Sequence, residues 1–234
     1  MHSPFVPGRS QRWKWWWEDI RTARFSLALA GVILGIEVVL GVFGGAERIP
    51  GVYEALGLSW AGIQKGWIWQ IGSHALIHGA WWHALLNALI LISTGARVER
   101  ISGWKTAARV FVIGALAGGL AFLLLPMPES DMLLVGASGG IFALLLWLTT
   151  MSPQSRMLLL PLSAKNLGLG LLVASGVLAL AVPWMPGGSL AVSHSCHFGG
   201  ALAGWLIARR SMRASVSLAD LQKARARRES EADL

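Results

Sequence analysis

Charge is scarce in this chain, and cysteine is almost absent. Only 14% of its 234 residues are Asp, Glu, Lys or Arg, against about 25% in an ordinary soluble domain. One cysteine, Cys196, excludes a disulfide framework and leaves the redox compartment unreadable. Acids are scarcer than bases, 12 against 20, for a net charge of +8. What remains is apolar: 54% of the residues are hydrophobic and 13 are tryptophan. The length would fit one or two soluble domains, but the apolar runs predict a single all-α membrane bundle. Candidate spans are 25–43, 73–95, 107–125, 133–150, 167–182 and 192–208. Most approach the roughly 20 residues that cross a bilayer, and the shorter ones have apolar flanks.

The basic excess is distributed by topology. With six spans, one side of the membrane receives both termini and the even-numbered loops. These carry Arg9, Arg12, Lys14, Arg21 and Arg24, then Arg97, Arg100, Lys105 and Arg109, then Arg156 and Lys165, then the tail bases from Arg209 to Arg228. The other side has only Arg48 and Lys65, against Glu47, Glu54, Glu129 and Asp131. An odd number of spans spoils this segregation. It is the positive-inside asymmetry, which puts both ends in the cytoplasm and makes the basic excess a matter of topology and lipid headgroups rather than nucleic acid. Three regions result: a cytoplasmic or interfacial segment 1–24, a membrane domain 25–208 and a basic tail 209–234. The first span follows a long basic segment and lacks an obvious small-residue cleavage site, so it reads as retained rather than as a signal peptide. The acid-poor start leaves organelle import open.

Trp13-Lys14-Trp15-Trp16-Trp17 has the character of an interfacial anchor. In the first span, Gly31 and Gly35 form a small-xxx-small face, and Glu37 is an acid that faces a wet interior or reaches toward the outer interface. The long outer segment 44–72, with Tyr53, Trp60, Trp67 and Trp69, is expected partly sunk in the outer leaflet. The tail has helical spacing over 218–228 and carries no chemistry.

The second span is expected to open at Ser73 and to hold His74, His78, His83 and Asn87. Such polar residues are costly in a membrane unless used. His83 and Asn87, four apart, share a face, as do His74 and His78. The latter pair has zinc-helix spacing, but the glutamate a metalloprotease needs after its first histidine is Ala75. Gly136-Ala137-Ser138-Gly139-Gly140 fits a nucleophile-elbow pattern but lacks the preceding strand and soluble sheet that the motif requires. The last span carries His194, His197, Gly200 and Gly204. Ser138 and His197 each lie about five residues inside spans that enter from the outer side, roughly 8 Å below the boundary. That arrangement could bring hydroxyl and imidazole together, His197 serving as general base and then as acid. His83 and Asn87 can donate to a developing oxyanion, with the main chain around Gly136 and Ser138. No acid is placed as a third member: Asp131 precedes its helix and Glu37 is on another span. His194 shares the face of His197, and Cys196 points roughly 100° away.

These residues resemble the rhomboid family of intramembrane serine proteases. The similarity rests on His78-x4-His83-x3-Asn87, Gly136-x-Ser138-Gly139, His197-x2-Gly200-x3-Gly204 and the segment Gly95-Ala96-Arg97-Val98-Glu99. It implies a six-helix bundle with a water-filled cavity open to the outside, and a Ser138/His197 dyad. His83 and Asn87 line the oxyanion site, and His78, Gly139, His194, Gly200 and Gly204 are cavity-lining or packing residues. It also implies no cofactor or metal, single-pass membrane proteins as substrates, and a minimal bacterial form in the plasma membrane. One departure is Trp69-Gln70, where many members carry Trp-Arg, which bears on loop contacts rather than chemistry. Two other classes fit less of the sequence. A catalytically inactive relative that binds membrane proteins usually lacks the serine or histidine, and a histidine-lined metal carrier would use His74, His78 and His194.

Overall fold

The computed structural model describes residues 9–125, 132–155, 163–182, 193–213 and 222. The expected tail helix over 218–228 and the acidic loop with Glu129 and Asp131 therefore lie outside the described residues, Gln222 excepted. The architecture is all-α. A first helix, α1 (Arg9–Thr22), precedes α2 (Arg24–Val42). Four short helices follow, α3 (Gly45–Arg48), α4 (Pro50–Leu56), α5 (Trp60–Gln64) and α6 (Gln70–Ser73). Five long ones complete the order: α7 (Trp81–Ser102), α8 (Trp104–Leu124), α9 (Ser138–Met151), α10 (Ala164–Ala181) and α11 (His194–Arg213). Three helices, α2, α8 and α10, are by themselves long and apolar enough to cross a membrane. α9 is apolar but has only 14 residues, and α7 and α11 are long enough but carry charged or polar residues.

α9 is the hub. Its buried residues run around its whole circumference, Gly139, Gly140, Ile141, Ala143, Leu144, Leu146, Trp147 and Leu148 among them, as expected of a helix enclosed by others. α11 and α8 pack most extensively on it, with α7 and α10 completing the enclosure. Small residues permit the close approach. A Cβ on Gly114 would meet the Ala143 side chain, and one on Gly118 would lie 2.8 Å from both the carbonyl oxygen and the Sγ of Cys196.

Two expected span boundaries are corrected. The second span does not begin at Ser73. Residues 74–80 form turns, α7 starts at Trp81, and His74 and His78 precede the helix rather than sharing one of its faces. The local chain has other partners: Ser73 Oγ donates to the Leu56 carbonyl at 2.6 Å, and His74 Nδ1 lies 2.9 Å from the Gln70 carbonyl. Nor does the fourth span begin at 133. Leu134 exchanges two main-chain hydrogen bonds with Leu58, at 2.9 and 2.8 Å, and the chain then turns through Gly136 and Ala137 before α9 begins.

Segment 44–72 is built on its own polar contacts. Gln70 is fully buried; its amide donates to the Glu54 carbonyl at 2.7 Å, and its Oε1 accepts from Ser59 N–H at 3.3 Å. Trp69 Nε1 donates to the Ala55 carbonyl at 2.8 Å. Tyr53, expected near the lipid, is instead buried within the protein.

At the opposite end, Glu99 on α7 caps α2. Its carboxylate accepts from the N–H groups of Phe25 and Ser26, at 3.1 and 2.9 Å, and from Ser26 Oγ at 2.6 Å. These first-turn donors have no partner within their own helix, and the negative charge suits a helix N-terminus. Gly95 abuts the Ser26 hydroxyl, so α7 and α2 can approach there. Asp19 on α1, almost fully buried, pairs with Arg100 at 2.7 Å and Arg97 at 3.1 Å, and docks α1 against α7. Replacing Glu99 by alanine is expected to destabilise the protein by about 3 kcal/mol, from loss of charge-assisted hydrogen bonds, read as a lower melting temperature in detergent micelles.

Candidate active site

The contact that organises the site is between Ser138 Oγ and His197 Nε2, 2.8 Å apart and 59 residues apart in sequence. Ser138 is the first residue of α9, not the fifth of a longer helix as the sequence suggests. His197 is the fourth residue of α11. Both side chains are partly exposed, so the pair is not fully enclosed by the protein.

Glycines on α11 bring the two helices together. A Cβ on Gly200 would strike the Gly139 carbonyl oxygen, and one on Gly204 the Ala143 carbonyl oxygen. The spacing of four residues on α11 matches the four between Gly139 and Ala143, so one seam of backbone contact runs along both helices. Gly139 itself is in this packing, with Cys196 Sγ 2.9 Å from where its Cβ would stand. Cys196 is thus fully buried between α8 and α9.

The imidazole of His197 is oriented by stacking. Phe142 lies parallel to it, with ring centroids 4.2 Å apart and planes 7° apart. This residue escaped the sequence reading. It stands four after Ser138, hence on the same face of α9, and that spacing was the available signal. His194 meets His197 edge-on at 6.3 Å between centroids. Among the described residues no carboxylate hydrogen-bonds His197.

The other polar residues approach from α7 and the turn before it. Gly136 has φ +114°, a backbone conformation natural to glycine, and its position is crowded. A Cβ there would lie 2.8 Å from His83 Cε1, 3.2 Å from His83 Nε2 and 3.6 Å from Asn87 Nδ2. His83 and Asn87, one turn apart on α7, therefore both face the segment leading into Ser138. Among the described residues nothing accepts from Asn87 Nδ2, so that amide donor is free for a bound group. The first-turn N–H groups of α9 also lack intrahelical acceptors.

His78 holds this segment in place. Its Nε2 accepts from Ala137 N–H at 3.3 Å, and its ring packs edge-on against His83 at 4.9 Å between centroids. Gly136 N–H donates to the His74 carbonyl at 2.8 Å. Glu37, half-buried, lies against the His78 main-chain N–H and near the Tyr53 phenol, so it faces the turn rather than the lipid. Burial and, secondarily, the Glu37 carboxylate raise the Tyr53 phenol above its ordinary value. His74 and His78 are thus engaged in holding loops, on different partners.

Long apolar helices packed through glycine seams define a polytopic membrane helix bundle, with the serine–histidine cluster near one end. Residues 65–213 match the Rhomboid domain. This is more than half of the chain, which therefore belongs to the rhomboid family and is a multi-pass membrane protein. It is similar to RHOMBOID-like protein 5 of Arabidopsis thaliana, 30% identical over 145 residues, which are 62% of this chain and 44% of that protein. It is also similar to Rhomboid-related protein 2 of Mus musculus, 35% identical over 77 residues, or 33% of this chain and 24% of that protein. The chain spans less than half the length of these curated relatives.

Gly200→Val is expected to push α11 away from α9 and to cost about 1–3 kcal/mol through overpacking. Thermal unfolding in detergent would record this as a lower midpoint than wild type.

Proposed function

We propose that this protein is an intramembrane serine endopeptidase that hydrolyses peptide bonds in or near transmembrane segments of membrane proteins. The observation that carries the reading is the 2.8 Å contact between Ser138 Oγ and His197 Nε2. Membership of a family whose members are commonly serine proteases supports it. In this mechanism His197 Nε2 accepts the hydroxyl proton as Ser138 Oγ attacks the substrate carbonyl carbon. The same imidazolium then gives its proton to the leaving amine, and an acyl-enzyme forms on Ser138. Water, deprotonated by His197, attacks the ester, and Ser138 leaves with the proton returned to it.

The oxyanion of each tetrahedral intermediate needs donors fixed beforehand. Asn87 Nδ2, His83 and the Ser138 main-chain N–H are assigned that role, with Gly136 leaving room for the oxygen. Phe142 and His78 act by position: one keeps the imidazole plane aligned, the other fixes the Ala137 peptide immediately before the serine.

The proposed topology has six crossings, α2, α7, α8, α9, α10 and α11, with both termini on the positively charged, cytoplasmic side. Region 25–208 is the membrane domain, 1–24 an interfacial segment and 209–234 a basic tail. The charge distribution of the loops supports this arrangement. A partly exposed serine near one end of the bundle fits substrates that enter from the membrane and meet water there.

The test is cleavage of a model single-pass substrate in liposomes, with fluorophosphonate labelling of the same preparations. Ser138→Ala and His197→Ala are each expected to abolish both signals. His83→Ala or Asn87→Ala should lower turnover by about 10²–10³ with little change in melting temperature. A wild-type protein that binds the substrate without cutting it or taking the label would instead be a non-catalytic membrane-protein binder.

A further inference from the structure

At the end of the bundle opposite the dyad, α9, α10 and α11 leave a groove of about 590 Å³. Thr149 lies eleven residues beyond Ser138 on α9, about 16 Å along the helix axis, so the groove is separate from the site described above. Its lining is chemically sorted. Lys165 on α10 and Arg209 on α11 bring positive charge from two sides. Thr150 and Gln154 supply hydroxyl and amide groups, and Leu169 and Leu172 form an apolar wall. The volume lies within the usual range for a small-molecule site, mostly apolar with a few placed polar groups.

Three further observations define what fits. Both cations are exposed, and among the described residues neither has an acidic partner; the ion pairs there are those of Asp19 with Arg97 and Arg100. Arg209 is poised over the Trp205 ring, 5.0 Å from its centroid, which fixes the guanidinium at the groove. Finally, the apolar wall continues outward. Leu169, Val173, Val177 and Leu180 recur at helical spacing along α10 and are each more than half exposed, a ridge running from the groove along the length of the helix.

We propose that this groove binds one anionic phospholipid. Its phosphate lies between Lys165 and Arg209, its headgroup hydroxyls meet Thr150 and Gln154, and an acyl chain follows the α10 ridge. A basic pocket between membrane helices is the setting in which anionic headgroups are held. The continuous apolar track favours a lipid over a free anion, because a free anion would make no use of it. Gly168 builds the groove: it abuts the Thr149 side chain, so α10 leans on α9 there and the cations stand at the rim.

Native mass spectrometry of the detergent-purified full chain tests this, with phosphatidylglycerol and phosphatidylcholine titrated separately. Wild type is expected to retain one phosphatidylglycerol at least about 10-fold more tightly than phosphatidylcholine, and Lys165→Gln/Arg209→Gln should weaken that binding roughly 10- to 30-fold. Thr150→Trp, which fills the groove without touching either charge, should weaken it similarly. Lys165→Arg/Arg209→Lys should bind as wild type does, and so should Arg24→Gln/Lys105→Gln, which removes bases outside the groove. Equal retention by wild type and both groove variants would overturn the proposal. So would equal loss in the Arg24/Lys105 control, which would indicate non-specific surface charge, or equally tight binding of glycerol phosphate, which would indicate a small-anion site.

Discussion

The rest of the structure depends on how closely α11 can approach α9. Gly200 and Gly204 press directly on the carbonyls of Gly139 and Ala143, so the two backbones touch with no side chain between them. In a membrane, where apolar surface gains little by leaving lipid, such contact is the main source of helix association. It also fixes separation and register together. His197, one turn before Gly200, then meets Ser138, one residue before Gly139, with no latitude for either helix to slide. The 2.8 Å contact follows from that packing.

Around this seam the polar groups are arranged in tiers. Ser138 and His197 meet at the helix ends, and His83 and Asn87 reach the adjoining segment from α7. Behind them stand groups that bind no substrate in the proposed mechanism. His78 accepts from the Ala137 peptide, the His74 carbonyl holds Gly136, and Leu58 pairs with Leu134. Gln70 in turn ties the α4, α5 and α6 stretches to one another. Each of these bonds satisfies a main-chain group that would otherwise be buried unpaired, at a cost of several kcal/mol in an apolar setting. Segment 44–72 is therefore part of the support of the site, and its irregular backbone is tolerated because it is paired within the protein.

The other end of the bundle follows different physics. Glu99 accepts from first-turn donors of α2 that have no partner within their own helix, and Asp19 gathers two arginines from α7. These contacts are charge-assisted, and the hydrogen bonds offset the burial of the Asp19 carboxylate. The groove bearing Lys165 and Arg209 keeps its exposed charges without acidic partners among the described residues. One end of the molecule is thus organised by neutral hydrogen bonds around the Ser138–His197 contact, the other by ionic contacts.

Composition and hydropathy determined the class: an apolar, charge-poor chain with segregated bases is a helical membrane protein, and its long apolar runs locate the helices of the bundle. The motifs nominated Ser138, His197, His83 and Asn87 because reactive and polar residues are expensive in such helices and stand out. Apolar periodicity could not show where α7 and α9 begin. Residues 74–80 and 133–137 are hydrophobic enough to read as helix, yet the Ser73 hydroxyl bonds to the Leu56 carbonyl and the main chain of Leu134 and Gly136 bonds to Leu58 and His74, partners far away in sequence. The same holds for His78 under Ala137, Phe142 against His197, and Glu99 over the start of α2. Sequence by itself set which residues had chemistry and which segments were apolar; only tertiary packing decided which of them met, because contact between distant helices depends on backbone approach distances that no local pattern encodes.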